Sequence, residues 1–383
     1  MYENLLYQKE IVTQLKHDVS SGALPPAILF SGQAMSGKLT AALETARLLS
    51  CRESGAWQCS CRLCVQHREL SHSRSILTGP RNMTPEIAAA ANLLRQEVSS
   101  SSRFLLTRAL RKLLRRFDPL LWEGNEKKIS AVMPVLERLA ENTDNLLSED
   151  ASAAGKKFDK KLDTLVEDSL TLQKYLPSIL PVAQVRNINA WAAHSAGGEH
   201  KTVVFDSAER IPPAAGNALL KFLEEPPPDT TIILVTKRKS LLLPTIVSRL
   251  RDYAFRSRLP TEEQEILRRV FREKECTSLT EYFQEWSAGT DEQIRALAER
   301  FMESARTGLY PQEMSTIKDS MDFTALLDAL DCILQEKWRA KGGNSSRGKE
   351  IAWLREARNR AENLNIPVNM LLRHLHLSLG TLP

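Results

Sequence analysis

Short apolar runs and long amphipathic stretches give this chain two alternating textures. Ala27-Ile-Leu-Phe30, Ser75-Ile-Leu-Thr78, Val203-Val-Phe205 and Thr231-Ile-Ile-Leu-Val235 are brief, and each ends at a polar residue or a glycine. Runs of that length with helix-like stretches between them predict buried parallel strands. Polar residues at their carboxyl ends, Asp206 and Thr236, lie where such sheets hold ligands. Leu5, Ile11, Leu15 and Val19 recur at helical spacing and predict a helix over 3–22, ended by Pro25-Pro26. Further helices are expected from Ala41 to Leu49, from Pro181 to His194, and from Asn217 to Glu225, where three prolines stop the run. Gly197-Gly198 turns the chain into the Val203 strand.

Between Thr84 and Tyr175 glycine nearly vanishes. Helical periodicity covers Leu105–Phe117, Val132–Leu147 and Phe158–Leu176, with breaks at Asp118-Pro119 and Gly124-Asn125 and a joint at Ala151–Gly155. This reads as an all-helical, hairpin-like insertion. Past Phe255 no further strand is expected. Pro260-Thr-Glu-Glu263 is a helix start with Thr261 as N-cap, short helices fill 262–306, and a helical bundle occupies 311–379, interrupted at Gly342–Arg347. The fold class is α/β: a parallel-sheet domain over 1–83 and 178–256, the helical insertion at 84–177, and all-α domains at 257–308 and 309–383.

Composition narrows the function classes only a little. At 383 residues several domains are expected, and 42% hydrophobic with 26% charged residues is the balance of a globular protein. A net charge of +5 permits a nucleic-acid surface without demanding one. No apolar run approaches the roughly 18–20 residues of a membrane span, and the start MYENLLYQKE lacks a signal-peptide layout. A cytoplasmic, membrane-free protein is expected. There six cysteines are ligands or buried thiols before they are disulfides, with Cys276 and Cys332 as core positions in helices.

Five stretches carry chemistry. Gly32-x4-Gly37-Lys38 sits between a strand and a helix, the context of a phosphate-binding loop, with Lys38 reaching toward β/γ-phosphates. The following position should bring a hydroxyl to Mg2+ but is Leu39, and Thr40 lies a further ~100° around the helix. Two readings stand: ATP or ADP bound without hydrolysis, or a glycine turn kept for the fold. Asp206 ends its strand as a metal-organising acid does, but Ser207 stands where a water-orienting glutamate is needed. Glu209 reads as the far end of a capping box begun at Asp206. Cys51, Cys59, Cys61 and Cys64 offer four thiolates for a structural Zn2+, with an unusually tight Cys59-x-Cys61 step. Arg249 is either an arginine finger aimed at a neighbour's phosphates or a solvated arginine. The stripe Arg108, Arg111, Lys112, Arg115, Arg116 is either a nucleic-acid contact or a solvated face paired with Glu123, Glu126 and Glu137. His194 and His200 flank a turn with no partner visible, and no Ser-His-Asp, zinc-protease or paired-carboxylate set stands out.

With these residues in view, the chain resembles bacterial clamp-loader subunits of the AAA+ class, most closely the delta-prime subunits of DNA polymerase III. Asn217-Ala-Leu-Leu-Lys-Phe-Leu-Glu-Glu-Pro-Pro227 matches the family's most recognisable segment. Thr236 corresponds to its sensor 1, and Ser248-Arg249-Leu250 to its Ser-Arg-Cys finger motif with Leu for Cys. The four-cysteine cluster is similar to its zinc module, and Pro181–Arg186 to its lead-in to the Walker B strand. The likeness covers 1–80 and 181–256, is compatible with lid and collar helices over 257–383, and does not extend to 84–175.

The resemblance implies a hetero-oligomeric loader, a pentamer, that opens the sliding clamp and places it on primer-template DNA. Motor subunits hydrolyse ATP, while the delta-prime type lends its finger, here Arg249, to a neighbour's ATP. Gly32, Gly37, Lys38, Thr40, Asp206 and Thr236 would form a degenerate nucleotide site. The rival reading is a gamma/tau-type motor subunit, which predicts intact metal and base residues. A stand-alone P-loop ATPase is opposed by the Asn217–Pro227 segment.

Overall fold

In a computed structural model, residues 1–148, 155–194, 197–286 and 291–317 are described continuously, with parts of 323–361 and the segment 366–380. The chain divides into two compact units, Met1–Trp286 and Ser287–Pro383.

The first unit is built on a five-stranded sheet: β1 Ala27–Ser31, β2 Ser75–Thr78, β3 Lys201–Asp206, β4 Thr230–Thr236 and β5 Arg251–Ala254, in the order β2-β3-β4-β1-β5. All four pairings are parallel, with Phe30 opposite Val235 and Asp206 also opposite Val235 on the other side. Four of these strands match the apolar runs. β5 was not expected, because Arg-Asp-Tyr-Ala is no apolar run. As an edge strand paired only to β1 it buries Tyr253 and leaves Arg251 and Ala254 exposed.

Helices cover both faces of the sheet. In chain order they are α1 Lys9–Ser20, α2 Lys38–Ser50, α3 Arg62–Arg68, α4 Thr84–Gln96, α5 Ser100–Leu114, α6 Pro119–Trp122, α7 Glu126–Ser130, α8 Met133–Ser148, α9 Lys156–Tyr175, α10 Val182–Ala193, α11 Pro213–Glu224, α12 Pro244–Val247, α13 Pro260–Ile266 and α14 Leu279–Glu285. Ile28, Phe30, Leu77, Val204 and Ile233 pack with Leu15 of α1 and Leu39, Ala42 and Leu43 of α2. The alternate residues Leu29, Ile76, Val203, Phe205 and Ile232 share a core with Val185 of α10, Leu219 of α11 and the insertion's Ile87, Leu106, Leu110, Leu162 and Leu172. One residue's step along each strand thus sends its side chain to the opposite layer.

The first helix is shorter than 3–22. Tyr2 and Tyr7 have positive φ, so the chain turns before Lys9, and Leu5 is buried from that turn. The insertion is more than a hairpin, since α4 packs on α5 and α9, and α8 packs on α5 and α9. Thr261 is not the N-cap of α13. Leu259 is, and its N–H donates to Glu262 Oε2 at 2.9 Å. Cys276 is buried as expected, though in the loop before α14. Cys332, the loop Gly342–Arg347 and most of the Ala151–Gly155 joint lie outside the described residues.

In the second unit α15 (Asp291–Thr307) and the helix Val368–Gly380 share a core through Phe301, Ala305, Leu372 and Leu375, joined by Phe323, Leu327 and Leu330. His376 Nε2 and Ser304 Oγ lie 3.0 Å apart within it. Among the described residues no helix is long and apolar enough to cross a membrane.

Candidate functional site

The glycine loop leaves β1 at its carboxyl end and feeds α2. Gly37 has φ 94°, in the left-handed region that favours glycine. A side chain there would also meet Leu5 Cδ1 at 2.7 Å and Arg258 Nη2 at 3.0 Å. Two side chains hold the loop from outside. Gln8 Nε2 donates to Ser36 O at 3.1 Å and to Arg256 O at 2.8 Å, and Arg258 donates to the carbonyls of Met35 and Leu6. Lys38 is 7% exposed and folds into its own loop, donating to Gly32 O at 2.7 Å, to Gln33 O and to Ser36 Oγ at 3.0 Å. Burial, then the like charge of Arg81, lowers its pKa to about 8 against the opposing pull of Glu209 and Asp206. Leu39 is buried in the core beside α1, and Thr40 is half-buried one position on.

Across from the loop, Asp206 is buried at the end of β3 and paired. Arg116 Nη2 donates to its Oδ2 at 2.9 Å, and Arg81 Nη1 stands 3.9 Å from the same oxygen. Gly79, after β2, has φ 124°, and a side chain there would overlap the Asp206 carbonyl oxygen. Ser207 takes a left-handed φ of 58° and makes no capping bond. Glu209 therefore closes no capping box. Its Oε2 accepts from Thr236 Oγ1 at 2.8 Å and from Lys237 N at 3.3 Å, tying the end of β3 to that of β4. The expected residues Gly32, Gly37, Lys38, Asp206 and Thr236 thus do gather at one sheet edge. They meet a carboxylate already neutralised by arginine and a leucine where a metal-binding hydroxyl belongs. As a Mg2+ site the set does not fit.

The basic stripe of α5 follows neither expected reading. Arg108 Nη1 donates to Arg68 O at 2.5 Å and to His67 O at 3.5 Å, and Arg111 Nη1 to Glu69 O at 2.9 Å. These carbonyls lie at the carboxyl end of α3, so the guanidinium groups cap that helix. Arg115 donates to His72 O at 3.4 Å and to Ser75 O at the start of β2. Among the described residues the acids that pair with the stripe are Glu69, Asp144, Glu86, Asp118 and Asp206, not Glu123, Glu126 or Glu137. Burial pushes the Arg108 pKa down to about 10 and lowers that of Lys112.

The four cysteines converge. Cys51 follows α2, Cys61 precedes α3 and Cys64 lies within α3, and all four sulfurs lie within 4.8 Å of one another. Cys51 and Cys59 Sγ are 3.8 Å apart, close to the ~3.8 Å edge implied by a tetrahedral Zn–S bond of about 2.3 Å. Glu53 N and Cys64 N donate to Cys51 and Cys61 Sγ, each at 3.4 Å, and Arg47 Nη1 to Cys64 Sγ at 2.9 Å. Burial nonetheless pushes the Cys64 thiol up, and Cys59 Sγ donates to Glu53 Oε2 at 3.4 Å, so it is the spacing of the four sulfurs that lets the cluster hold a metal ion. The tight Cys59-x-Cys61 step has a local reason: Cys61 caps α3 and Cys59 lies in the loop leading to it.

Arg249 follows α12 and precedes β5. Its Nε donates to Glu224 Oε1 at 2.7 Å, Nη2 donates to the same oxygen, and Nη1 donates to Thr245 O at 2.7 Å. The arginine is not simply solvated among its basic neighbours, but its side chain keeps 32% exposure beside an acid that is itself 47% exposed.

Residues 7–258 match the family described as DNA polymerase III, delta subunit. The chain belongs to that family. It is a clamp-loader family, and the match runs through the insertion as well as both parts of the sheet domain. The sheet domain is α/β, all parallel, with its glycine loop after β1. Among solved structures, a DNA polymerase III gamma subunit-related protein from Thermotoga maritima is similar at 18% identity, over 56% of this chain and 89% of that one, with a TM-score of 0.32. Comparison with curated proteins gives no match.

For a clamp-loader family member the structure adds residues that the sequence did not single out as a site: Gln8, Arg81, Arg116 and Arg258. Only Arg116 left a trace in the sequence, as the last member of the stripe. With Arg115 it lies past the end of α5, in the turn Arg115–Phe117, but it alone of the stripe bonds to Asp206.

Proposed function

We propose that this chain is a non-hydrolysing, delta-prime-type subunit of the bacterial replicative clamp loader. It helps load the sliding clamp onto primer-template DNA within a hetero-oligomer, and contributes Arg249 in trans to a neighbour's ATP. The carrying observation is the buried Arg116–Asp206 pair. A strand-end acid neutralised by arginine, with Ser207 next to it and Leu39 across from it, has neither the metal nor the base of a hydrolytic site. The exposure of Arg249 supports the finger role, since only a guanidinium at the surface can reach another subunit. The cysteine cluster is proposed to bind one structural Zn2+ through Cys51, Cys59, Cys61 and Cys64. The sheet domain, insertion 84–177, lid 257–308 and collar 309–383 are proposed as the working parts of a cytoplasmic protein. ATP or ADP would occupy the degenerate loop without turnover.

Phosphate release by the isolated chain tests the main point. No Mg2+-dependent ATP turnover is expected. Steady turnover would favour the gamma/tau-type motor instead. In the reconstituted assembly, Arg249→Ala should lower clamp-dependent ATPase by about tenfold or more, since fingers contribute about 10³-fold at a single site. Unchanged ATPase would remove Arg249 from that role.

A further inference from the structure

Nucleotide sites on sheets of this type set a divalent cation against the strand-end acid. We propose that here Arg116, delivered by the helical insertion, is a built-in substitute for that cation, so that the site is independent of divalent metal. The proposal rests on reading the Gly32–Lys38 loop as a degenerate nucleotide site, and concerns how its charge is balanced.

Arg116 is 2% exposed and Asp206 4%, so neither charge is shielded by water. The guanidinium is bonded on every side: Nη2 to Asp206, Nε to Gly79 O at 3.1 Å, and Nη1 to Lys112 O at 2.6 Å. Its backbone is fixed as well. Trp122 Nε1 donates to Arg116 O at 3.0 Å, and the Trp122 ring stacks on Phe117 at 5.5 Å. Burial lowers the Arg116 pKa, but a guanidinium starts so high that the charge persists at neutral pH. Mg2+ demands several oxygen ligands and gives up its water reluctantly. Against that competitor it would find the carboxylates of Asp206 and Glu209, each already bonded, and the apolar Leu39. Arg81 stands behind Arg116 as a second cation, its pKa raised because Asp206, Glu86 and Glu209 together outweigh the effect of burial. Arg116 is a positioning residue in this scheme, acting through Asp206.

The test is thermal unfolding of the full chain in chelator-free buffer, with and without millimolar MgCl2, matched for ionic strength with NaCl. Wild-type Tm is expected not to respond to Mg2+. Arg116→Met should lower Tm by about 10 °C, since a buried carboxylate loses its partner, and should recover part of that loss saturably on adding Mg2+. The double variant Arg116→Met/Asp206→Asn should regain most of the loss without Mg2+. A saturable rise in wild-type Tm, or an Arg116→Met variant indifferent to Mg2+, would overturn the proposal. Should Arg116→Met not fold, the double variant and the wild-type titration decide: a double variant no more stable than the single one sinks the idea. A fluorescent ADP analogue gives the second readout. Equal affinity with and without Mg2+ is expected, and tightening by about tenfold with Mg2+ counts against the proposal. Absence of binding in both conditions counts against the nucleotide reading itself, with the Tm comparison still deciding the role of Arg116.

Discussion

Lys38 carries its charge where water hardly reaches it, and the cost has a pH signature. Its folded pKa is about 8, against an ordinary 10.5. Between those values the unfolded chain holds a proton that the folded chain has released, so stability rises with pH across that window. Below pH 8 both states are protonated and the full cost of burial is carried. Wild type should gain on the order of 1–3 kcal/mol from pH 8 to 10.5 relative to Lys38→Met, measured by urea unfolding at stepped pH. Equal slopes in the two proteins would show that Lys38 stays hydrated. The sequence made Lys38, Asp206 and Thr236 legible, because strand–loop–helix order fixes where such residues emerge. It could not show what each one bonds to. Glu209 read as a local cap, and instead reaches across to the next strand, a contact between residues far apart in sequence that no spacing rule encodes.

Single elements show the same limit differently. Four strands and most helices were visible as runs and periodicities, while β5 was hidden because an edge strand with one buried side chain has no apolar run to display. The stripe on α5 was visible as a pattern and misread as a surface, since charge at helical spacing does not say whether the partner is water or a neighbouring carbonyl. The cysteine cluster was the reverse case: its composition already announced its geometry. The purified chain should contain about one equivalent of zinc, and Cys61→Ser should lose it together with several degrees of Tm. A metal-free chain purified under reducing conditions, with an unchanged Tm in the variant, would leave the four thiols as a buried cluster only.

For the unit 1–286 as a whole, the consequential finding is that the insertion and the sheet share one core. Leu110 of α5, Leu172 of α9 and Val203 of β3 belong to the same buried cluster. The sequence separated these parts by texture, but an amphipathic helix does not name the surface that its apolar face will cover. Leu110→Ala should cost about 2–5 kcal/mol, as cavities in packed cores do. The loss should be read beyond the insertion, as faster hydrogen exchange at β2 and β3 as well as in α5. Exchange confined to 84–177 would mean that the insertion folds as a separate body.

The pairing of β2 with β3 has a further consequence, for the order of folding. These adjacent strands are in register from Ser75–Thr202 to Thr78–Phe205, yet all of 79–200 lies between them. The entropy of closing so long a loop grows only logarithmically with length, but it must be met before the ladder returns any stability. The contacts within 84–175, such as α4 on α5 and α8 on α9, close shorter loops than this and form sooner. The insertion is therefore expected to act as a tether that shortens itself, drawing the strand ends together as its helices fold. In pulse-labelled refolding, amides of α5 and α9 should gain protection before those of β2 and β3. Simultaneous protection would assign the early nucleus to the sheet.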